Sequence, residues 1–344
     1  MTASPKFKLA LVGTDSLRAK EIKRALEAQD FPLAGIDFFD PDIEEEYSKL
    51  TDFGEEPKVI RRLSGDSLEG RDLVFLAADP KTNRDCGRLA ERLNFKAVDL
   101  SETFNDRADV PLVVAGINED ELDRGEPRLA ANPHPAAIFL SLLFKPLLDG
   151  PGLRKAISFI LRPASALDVS GIEELAGQSV SLLGGTALTT KVFGQQMAFN
   201  LLPIADLPTQ AGIGRTERQI RDEVRRVLGR PDLPLSLSVI QASQFHTYAM
   251  MTYLELEREA DLAAVESALA KGAHLKREAE AGPGRSVSCI SVTGRDEVVI
   301  GPIQKEESFP GGFWVWAIAD NLTRGSALNA VAIARKLLGA RRMS

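Results

Sequence analysis

Asn132-Pro133-His134-Pro135-Ala136-Ala137 runs into the apolar stretch Ile138-Phe-Leu-Ser-Leu-Leu-Phe144, and how this junction folds decides how the chain is divided. A residue before proline is driven out of the helical region, whereas proline itself suits a helix's first turn. The pattern predicts a strand end, a sharp turn and a helix opening at about Pro135. Such an opening aims unpaired N–H groups and a partial positive charge at whatever lies before it.

Upstream of that junction, residues 6–12 read as a buried strand ending at Gly13, and 15–29 as a helix with Leu17, Ile22 and Leu26 on one side. Residues 35–39 make the next strand, ending at Asp40. Short strands are expected at 58–62, 72–77, 96–100 and 111–115, with a helix over about 82–93. Strands alternating with helices imply a parallel, doubly wound sheet. Downstream the pattern changes, with strands at 156–161, 235–242, 286–292, 297–303 and 313–318. Helices are expected over 172–183, 216–229, 260–271 and 325–338, the last returning to the first domain.

The chain's 344 residues suit two domains with ample core. A hydrophobic content of 44% and a charged content of 26% are ordinary for a globular protein. The formal charge of −7 provides no basic footprint for nucleic acid and argues against anionic membranes. Cys86 and Cys289 allow at most one disulfide, and both read as small buried hydrophobes, Cys86 on a helix and Cys289 in a late strand. His134, His246 and His274 are far apart, and no Cys/His cluster has zinc-ligand spacing, so no metal is expected. The opening Met-Thr-Ala-Ser-Pro-Lys-Phe-Lys lacks an apolar core, and no apolar run reaches the roughly 20 residues that span a bilayer. The expected compartment is the cytoplasm.

A dinucleotide fold places a glycine-rich turn after its first strand, where the pyrophosphate approaches backbone at a helix start. Here the turn is Gly13-Thr14-Asp15-Ser16-Leu17-Arg18-Ala19, and Gly13, Ser16 and Leu17 are its cofactor-binding candidates. Asp40, at the end of the second strand, opens the acidic run Asp40-Pro-Asp42-Ile-Glu44-Glu45-Glu46. An acid there accepts ribose hydroxyls and repels a 2′-phosphate, which favours NAD over NADP for any dinucleotide bound.

Several ungapped segments resemble the aspartate-semialdehyde dehydrogenases. That family reads Asn-Pro-Asn-Cys-Ser-Thr at the junction, its Cys being the nucleophile; here His134 and Pro135 stand at the second Asn and the Cys. The segment 99–111 matches a family stretch in which Asn105 replaces a ligand-holding Arg, with Arg107 two residues on. Gly171-Ile-Glu-Glu-Leu-Ala-Gly-Gln-Ser and Phe193-Gly-Gln-Gln-Met-Ala-Phe199-Asn200-Leu-Leu-Pro203 match strongly, and best with the catalytically degenerate Usg-type branch. Arg162 takes the place of the family's substrate-positioning Gln, and Gln219 that of a substrate-binding Lys, while Glu217 is kept. His246 and Tyr248 stand where the family has its carboxylate-holding Arg and its general-base His. Ala319-Asp-Asn321-Leu-Thr-Arg324-Gly325-Ser-Ala-Leu-Asn329-Ala resembles the segment whose Asn lies near the nicotinamide.

The resemblance implies an α/β protein with a Rossmann-like dinucleotide-binding domain, residues 1–133 and 320–344. It also implies an α+β dimerisation and catalytic-type domain over 134–319, through which the family makes homodimers. It carries Asn321 over as a cofactor contact, and His134, Arg162, Glu217 and His246 as candidates for holding a substrate or small anion. The family's chemistry runs through a thioester, and without the thiol there is no tetrahedral adduct from which hydride can leave. The expectation is therefore a family member without catalysis at Pro135, Arg162, His246 and Tyr248, binding at most NAD or a small anion. Two alternatives stand beside it: an NAD-dependent oxidoreductase acting on another small carboxylate, and a non-catalytic partner of an active family member.

Overall fold

The computed structural model describes residues 5–44, 49–204, 213–278 and 287–339; Glu45 and Glu46 of the acidic run, and Ser286, lie outside them. The chain divides into two compact units, Met1–Pro133 with Ser326–Ser344, and His134–Gly325.

The first unit contains β1 (Phe7–Val12), α1 (Leu17–Ala28), β2 (Leu33–Asp40), β3 (Leu50–Phe53), β4 (Glu56–Arg62), β5 (Leu73–Leu76), α2 (Pro80–Arg92), β6 (Lys96–Asp99) and β7 (Leu129–Ala131). Its seven strands are ordered β3-β4-β2-β1-β5-β6-β7, parallel except for the β3–β4 hairpin at one edge. Leu9, Ala10, Leu11 and Val12 are all fully buried, as expected of a central parallel strand covered on both faces.

Pro111–Ala115 is not a strand, and only Leu112 forms a bridge, to Ala131. The physical reason lies in two asparagines that take the places of a neighbouring strand. Asn118 accepts from the Val114 N–H at 2.9 Å and donates to the Leu112 carbonyl at 2.9 Å. Asn329 accepts from the Ala115 N–H and donates to the Val113 carbonyl, both at 2.8 Å. The strand paired with β6 is instead β7, just before the junction.

The second unit runs α3 (Pro135–Asp149), β8 (Leu153–Arg162), α4 (Asp168–Gly184), β9 (Leu201–Pro203), α5 (Arg215–Val227), β10 (Leu235–Ala242), β11 (Tyr248–Leu256), α6 (Leu262–Ala270), β12 (Leu275–Arg277), α7 (Cys289–Val292), β13 (Val298–Lys305) and β14 (Gly312–Ala319). Its sheet is mixed, in the order β12-β13-β14-β11-β8-β10-β9. Helix α3 is buried on every side from Ala136 to Phe144, which accounts for a sequence apolar all round. Cys289, expected in a strand, lies instead in the single turn α7. There the Ser288 hydroxyl accepts from the Ser291 N–H and the Ser291 hydroxyl answers to the Ser288 N–H, a reciprocal cap that starts a helix.

The chain returns to the first unit through a wide turn, Thr323–Ala327, and then α8 (Leu328–Leu337). The regular helix thus begins three residues later than Gly325, where a side chain would meet Pro135 Cβ and the Phe139 ring at 2.8 Å, so the close approach to α3 requires glycine. Alanines and aliphatics of α8 join those of α1 against Leu9, Leu11, Phe38 and Phe75.

The motif at 171–179 proves to be a clamp on the loop after α4. Glu174 accepts from the Val192 and Phe193 N–H groups at 2.8 and 3.0 Å. Gln178 accepts from Met197 and Ala198 at 2.6 and 3.1 Å, and donates to the Thr189 carbonyl at 2.7 Å. Gln178→Ala strands these buried backbone groups, and the expected loss is about 3 kcal/mol of stability. Urea denaturation and limited proteolysis of residues 189–198 check it; an unchanged midpoint with an intact loop would refute the clamp.

Candidate functional site

Pro135 opens α3, as its fixed φ and missing N–H predispose it to do. What faces the opening is the protein's own chemistry. The His134 N–H donates to Glu223 Oε2 at 2.6 Å, and Glu223, buried on α5, also accepts from Gln219 Nε2 at 2.9 Å. His134 Nδ1 accepts from the Ala136 N–H at 3.1 Å, while the Ala137 and Ile138 N–H groups bond the His134 carbonyl. With Nδ1 accepting, a neutral His134 carries its proton on Nε2. The first-turn donors that elsewhere cradle an anion are therefore engaged within the turn, and a carboxylate from α5 already sits at the positive helix end. Glu223 was not singled out from sequence; its signal was the Gln219/Glu223 pair, four apart on one helix face.

Tyr248 completes the plug. Its ring is fully buried, edge-on to His134 at 6.0 Å and to Phe139 at 6.1 Å. One step along the ladder from the Ala249–Leu161 pair, Tyr248 and Arg162 end their strands side by side. The structure thus gathers His134, Arg162 and Tyr248 on one face of the sheet, next to Pro135. Arg162 Nε is buried without a hydrogen-bond partner, and no ion pair joins Arg162 to Asp168 among the described residues. Asp168 instead accepts from the Val169 N–H at 2.8 Å.

The other candidates are placed differently. His246 lies half-buried in the loop before β11, and no ring contact links it to the cluster among the described residues. Glu217 Oε1 accepts from the Val239 N–H of β10 at 3.2 Å. Asn321 Oδ1 accepts from the Ser165 hydroxyl at 3.1 Å, with both residues buried. Arg107 pairs with Asp109 at the surface.

The two thiols lie in different units. Cys86 is buried in α2 of the first unit, and desolvation pushes its thiol to about 12, leaving essentially no thiolate at neutral pH. Cys289 packs with Leu161, Ala249, Ile318 and Trp316. Ala249 and Tyr248 are adjacent on β11 and point to opposite faces, so Cys289 lies across the sheet from Pro135.

In the first unit, Gly13 has φ +87°, and a Cβ there would meet the Ala78 backbone at 2.4 Å. Close approach of two strand ends is sufficient reason for this glycine. Ser16 caps α1, accepting from the Ala19 N–H at 3.1 Å, and Leu17 is the helix's first residue. Asp40, expected to meet a ribose, has both oxygens engaged. They accept from the Thr14 N–H at 2.8 Å and its hydroxyl at 2.6 Å, and Lys49 lies 3.3 Å away, paired also with Asp15. The residues of this turn do not fit a pyrophosphate cradle of the three-glycine kind. Among the described residues, no group of three or more His, Cys, Asp or Glu side chains is disposed to hold a metal, and no helix is long and apolar enough to cross a membrane.

Comparison with known proteins agrees with this architecture. The model of the semialdehyde dehydrogenase dimerisation domain matches residues 144–324. Aspartate-semialdehyde dehydrogenase of Aquifex aeolicus is 25% identical over 334 residues, covering 96% of this chain and 98% of that protein. The structure of a probable aspartate-semialdehyde dehydrogenase from Pseudomonas aeruginosa superposes with a TM-score of 0.88 at 26% identity, covering 97% of this chain and 99% of its own. Aspartate semialdehyde dehydrogenase II of Vibrio cholerae gives 0.90 at 23% identity, with coverage of 97% and 99%. The match to the family model takes in more than half of the residues, and the likeness to whole relatives extends over nearly all of them: the chain belongs to the semialdehyde dehydrogenase family.

Proposed function

We propose that this protein is an aspartate-semialdehyde dehydrogenase-like member of its family that does not carry out the hydride transfer, as in the family's degenerate Usg-type branch. The observation that carries the reading is the opening of α3. The residue there is Pro135, its flanking donors bond His134 and Glu223, and the Tyr248 ring lies against it. A reaction that begins with a thiolate adding to an aldehyde has neither a sulfur nor an open helix end in which to begin. Any dinucleotide the first unit holds is then a bound ligand, not a reactant. Of the acids behind the expected preference for NAD over NADP, Asp40 accepts from Thr14 and pairs with Lys49, and Glu45 and Glu46 lie outside the described residues.

The expected result with aspartate semialdehyde, phosphate and either NAD or NADP is no change in nicotinamide absorbance above the protein-free rate. Turnover that is lost on Tyr248→Phe would overturn the reading and favour the active oxidoreductase.

A role in association has its own support. Phe159 and Met251 face each other across β8 and β11, with Ile157 beside them, and all three are more than a third exposed. On α4, Val180 and Leu183 are 73% and 82% exposed. Contiguous apolar surface of this kind marks an interface, and the reading assigns it to a second copy of this chain or to an active relative with the same face. Light scattering is expected to give a dimer, and Phe159→Glu to shift it toward monomer; a monomeric wild type would refute the homodimer.

A further inference from the structure

Thr247 stands between His246 and Tyr248 with φ +70°, in the left-handed region. For a β-branched residue this conformation is an outlier, because the side chain crowds the following carbonyl. Thr247 is also fully buried, and its hydroxyl has no hydrogen-bond partner. The residue thus carries two separate costs in the folded form, backbone strain and an orphaned polar group, and a glycine would carry neither. Strain of this kind persists only where the surroundings impose it.

The surroundings do so here. The Gln244 and Phe245 carbonyls accept from the Ala164 and Ser165 N–H groups at 2.8 and 2.9 Å, tying the loop before β11 to the turn before α4. That turn leads into Asp168, which has φ +62° and ψ −156°, a region that glycine alone occupies freely. Gln244 Nε2 donates to the Thr247 carbonyl at 2.7 Å, and the Cys289 thiol donates to Gln244 Oε1 at 3.2 Å. One side chain therefore latches the peptide that leads into Tyr248. Tyr248 is the first residue of β11; it lies in the ladder to β14, and the ladder to β8 begins one residue later, at Ala249. A strand's first residue can leave its sheet while the body of the ladder stays paired.

We propose that Thr247 is a strained hinge that gives the α3 opening a second state. Rotation of Thr247 to a negative φ relieves the strain, releases its hydroxyl and withdraws the Tyr248 ring from His134 and Phe139. The inference rests on the reading of Tyr248 as the plug of that opening, and goes beyond it by making the plug removable. Gln244 is the latch of the closed form, and Thr247 is the spring that works against it. A strained residue and an orphaned hydroxyl stand against one hydrogen bond and two edge-on ring contacts. These opposed contributions are of similar order, which is the condition for two states close in energy.

Native-state hydrogen exchange of the full chain, followed at low urea, tests it. The wild-type amides of Ala136, which bonds His134 Nδ1, and of residues 248–250 should exchange through an opening almost independent of urea. They should run ahead of the amides of β8, whose exchange should follow global unfolding. Thr247→Gly should slow the local exchange about tenfold, the strain relieved outweighing the freedom that glycine adds to the open loop. Thr247→Val keeps the branched shape, removes the orphaned hydroxyl and should slow it about fivefold. Gln244→Ala removes the latch and should speed it about fivefold. Exchange at Ala136 and 248–250 that only accompanies that of β8, or that is equal in wild type and Thr247→Gly, would overturn the hinge. The measurement needs no substrate, so hydride transfer by the wild type would count against the inactive reading alone.

Discussion

Replacing Tyr248 with alanine is expected to cost the second unit about 3–5 kcal/mol, the range for deleting a fully buried aromatic ring. The ring has no exposed surface to give up gently; it touches His134 and Phe139 edge-on, and each such contact contributes about 0.5–1.5 kcal/mol beyond area burial. The void would open beside Pro135, against a helix buried on every side and unable to close over it without moving the sheet. Tyr248→Phe separates ring from hydroxyl: it keeps the packing and should lose only about 1 kcal/mol. Equilibrium denaturation of both variants decides the matter. A Tyr248→Ala protein within 1 kcal/mol of wild type, roughly the size of a surface change, would mean that the ring fills no essential space, and the plugged reading of the site would fail with it.

The residues that match the family's strong motifs turn out to have work in the fold. Glu174 and Gln178 hold the loop after α4, and Asp320 accepts from the Leu322 and Thr323 N–H groups and from Gly294 at 2.8 Å. Asp99, in the segment 99–111, accepts from the Ser101 N–H and hydroxyl and from the Phe104 N–H. Burial raises its pKa against the pull of those bonds, as for a carboxylate placed to fix a turn inside the protein. Of the positions expected to differ from the family, 134, 135, 162 and 248 are gathered at the opening of α3, whereas Asn105 lies in the first unit and His246 in the loop before β11. A site can thus be filled with an imidazole, a pyrrolidine and a phenol while the scaffold around it keeps its hydrogen bonds.

Local signals carried the sequence reading a long way. The strand Leu235–Ala242 and the opening of α3 at Pro135 fall where periodicity and proline chemistry put them, because both depend on neighbours in the chain. Pro111–Ala115 misled because its apolar run is real, but two asparagine side chains occupy the edge where a strand would pair, and one of them comes from α8. Cys289 misled for the opposite reason, since a serine pair three residues apart was strong enough to start a helical turn in a β-branched setting. Asp40 and Glu223 show the limit most clearly. Each is an acid in a suggestive place, and only tertiary structure reveals that Thr14 and Lys49 engage the first and that the second faces the α3 opening.

Asn329→Ala is expected to cost the first unit about 4 kcal/mol, because three buried groups lose their partner at once and each stranded group costs about 1–3 kcal/mol. Asn329 is 1% exposed; it accepts from the Ala115 N–H and donates to the Val113 carbonyl and to Asn132 Oδ1, each at 2.8 Å. It therefore joins α8 to the segment that failed to become a strand and to the residue that begins the junction. Asn329→Asp makes the sharper test. The substitution keeps size and the acceptor, but it removes both donated bonds and buries a charge, so its carboxyl should titrate above the ordinary aspartate range. A folded-state pKa raised above the unfolded value contributes stability that is present at low pH and lost as pH rises through the folded value. The Asn329→Asp protein should accordingly be least stable at neutral pH and should recover part of the loss on acidification to about pH 5, where a protonated carboxyl can again donate one bond. Over the same window the Asn329→Ala deficit should stay flat relative to wild type. An Asn329→Asp deficit independent of pH, or an Asn329→Ala protein as stable as wild type, would show that the contact between α8 and residues 113–115 forms without holding the unit together.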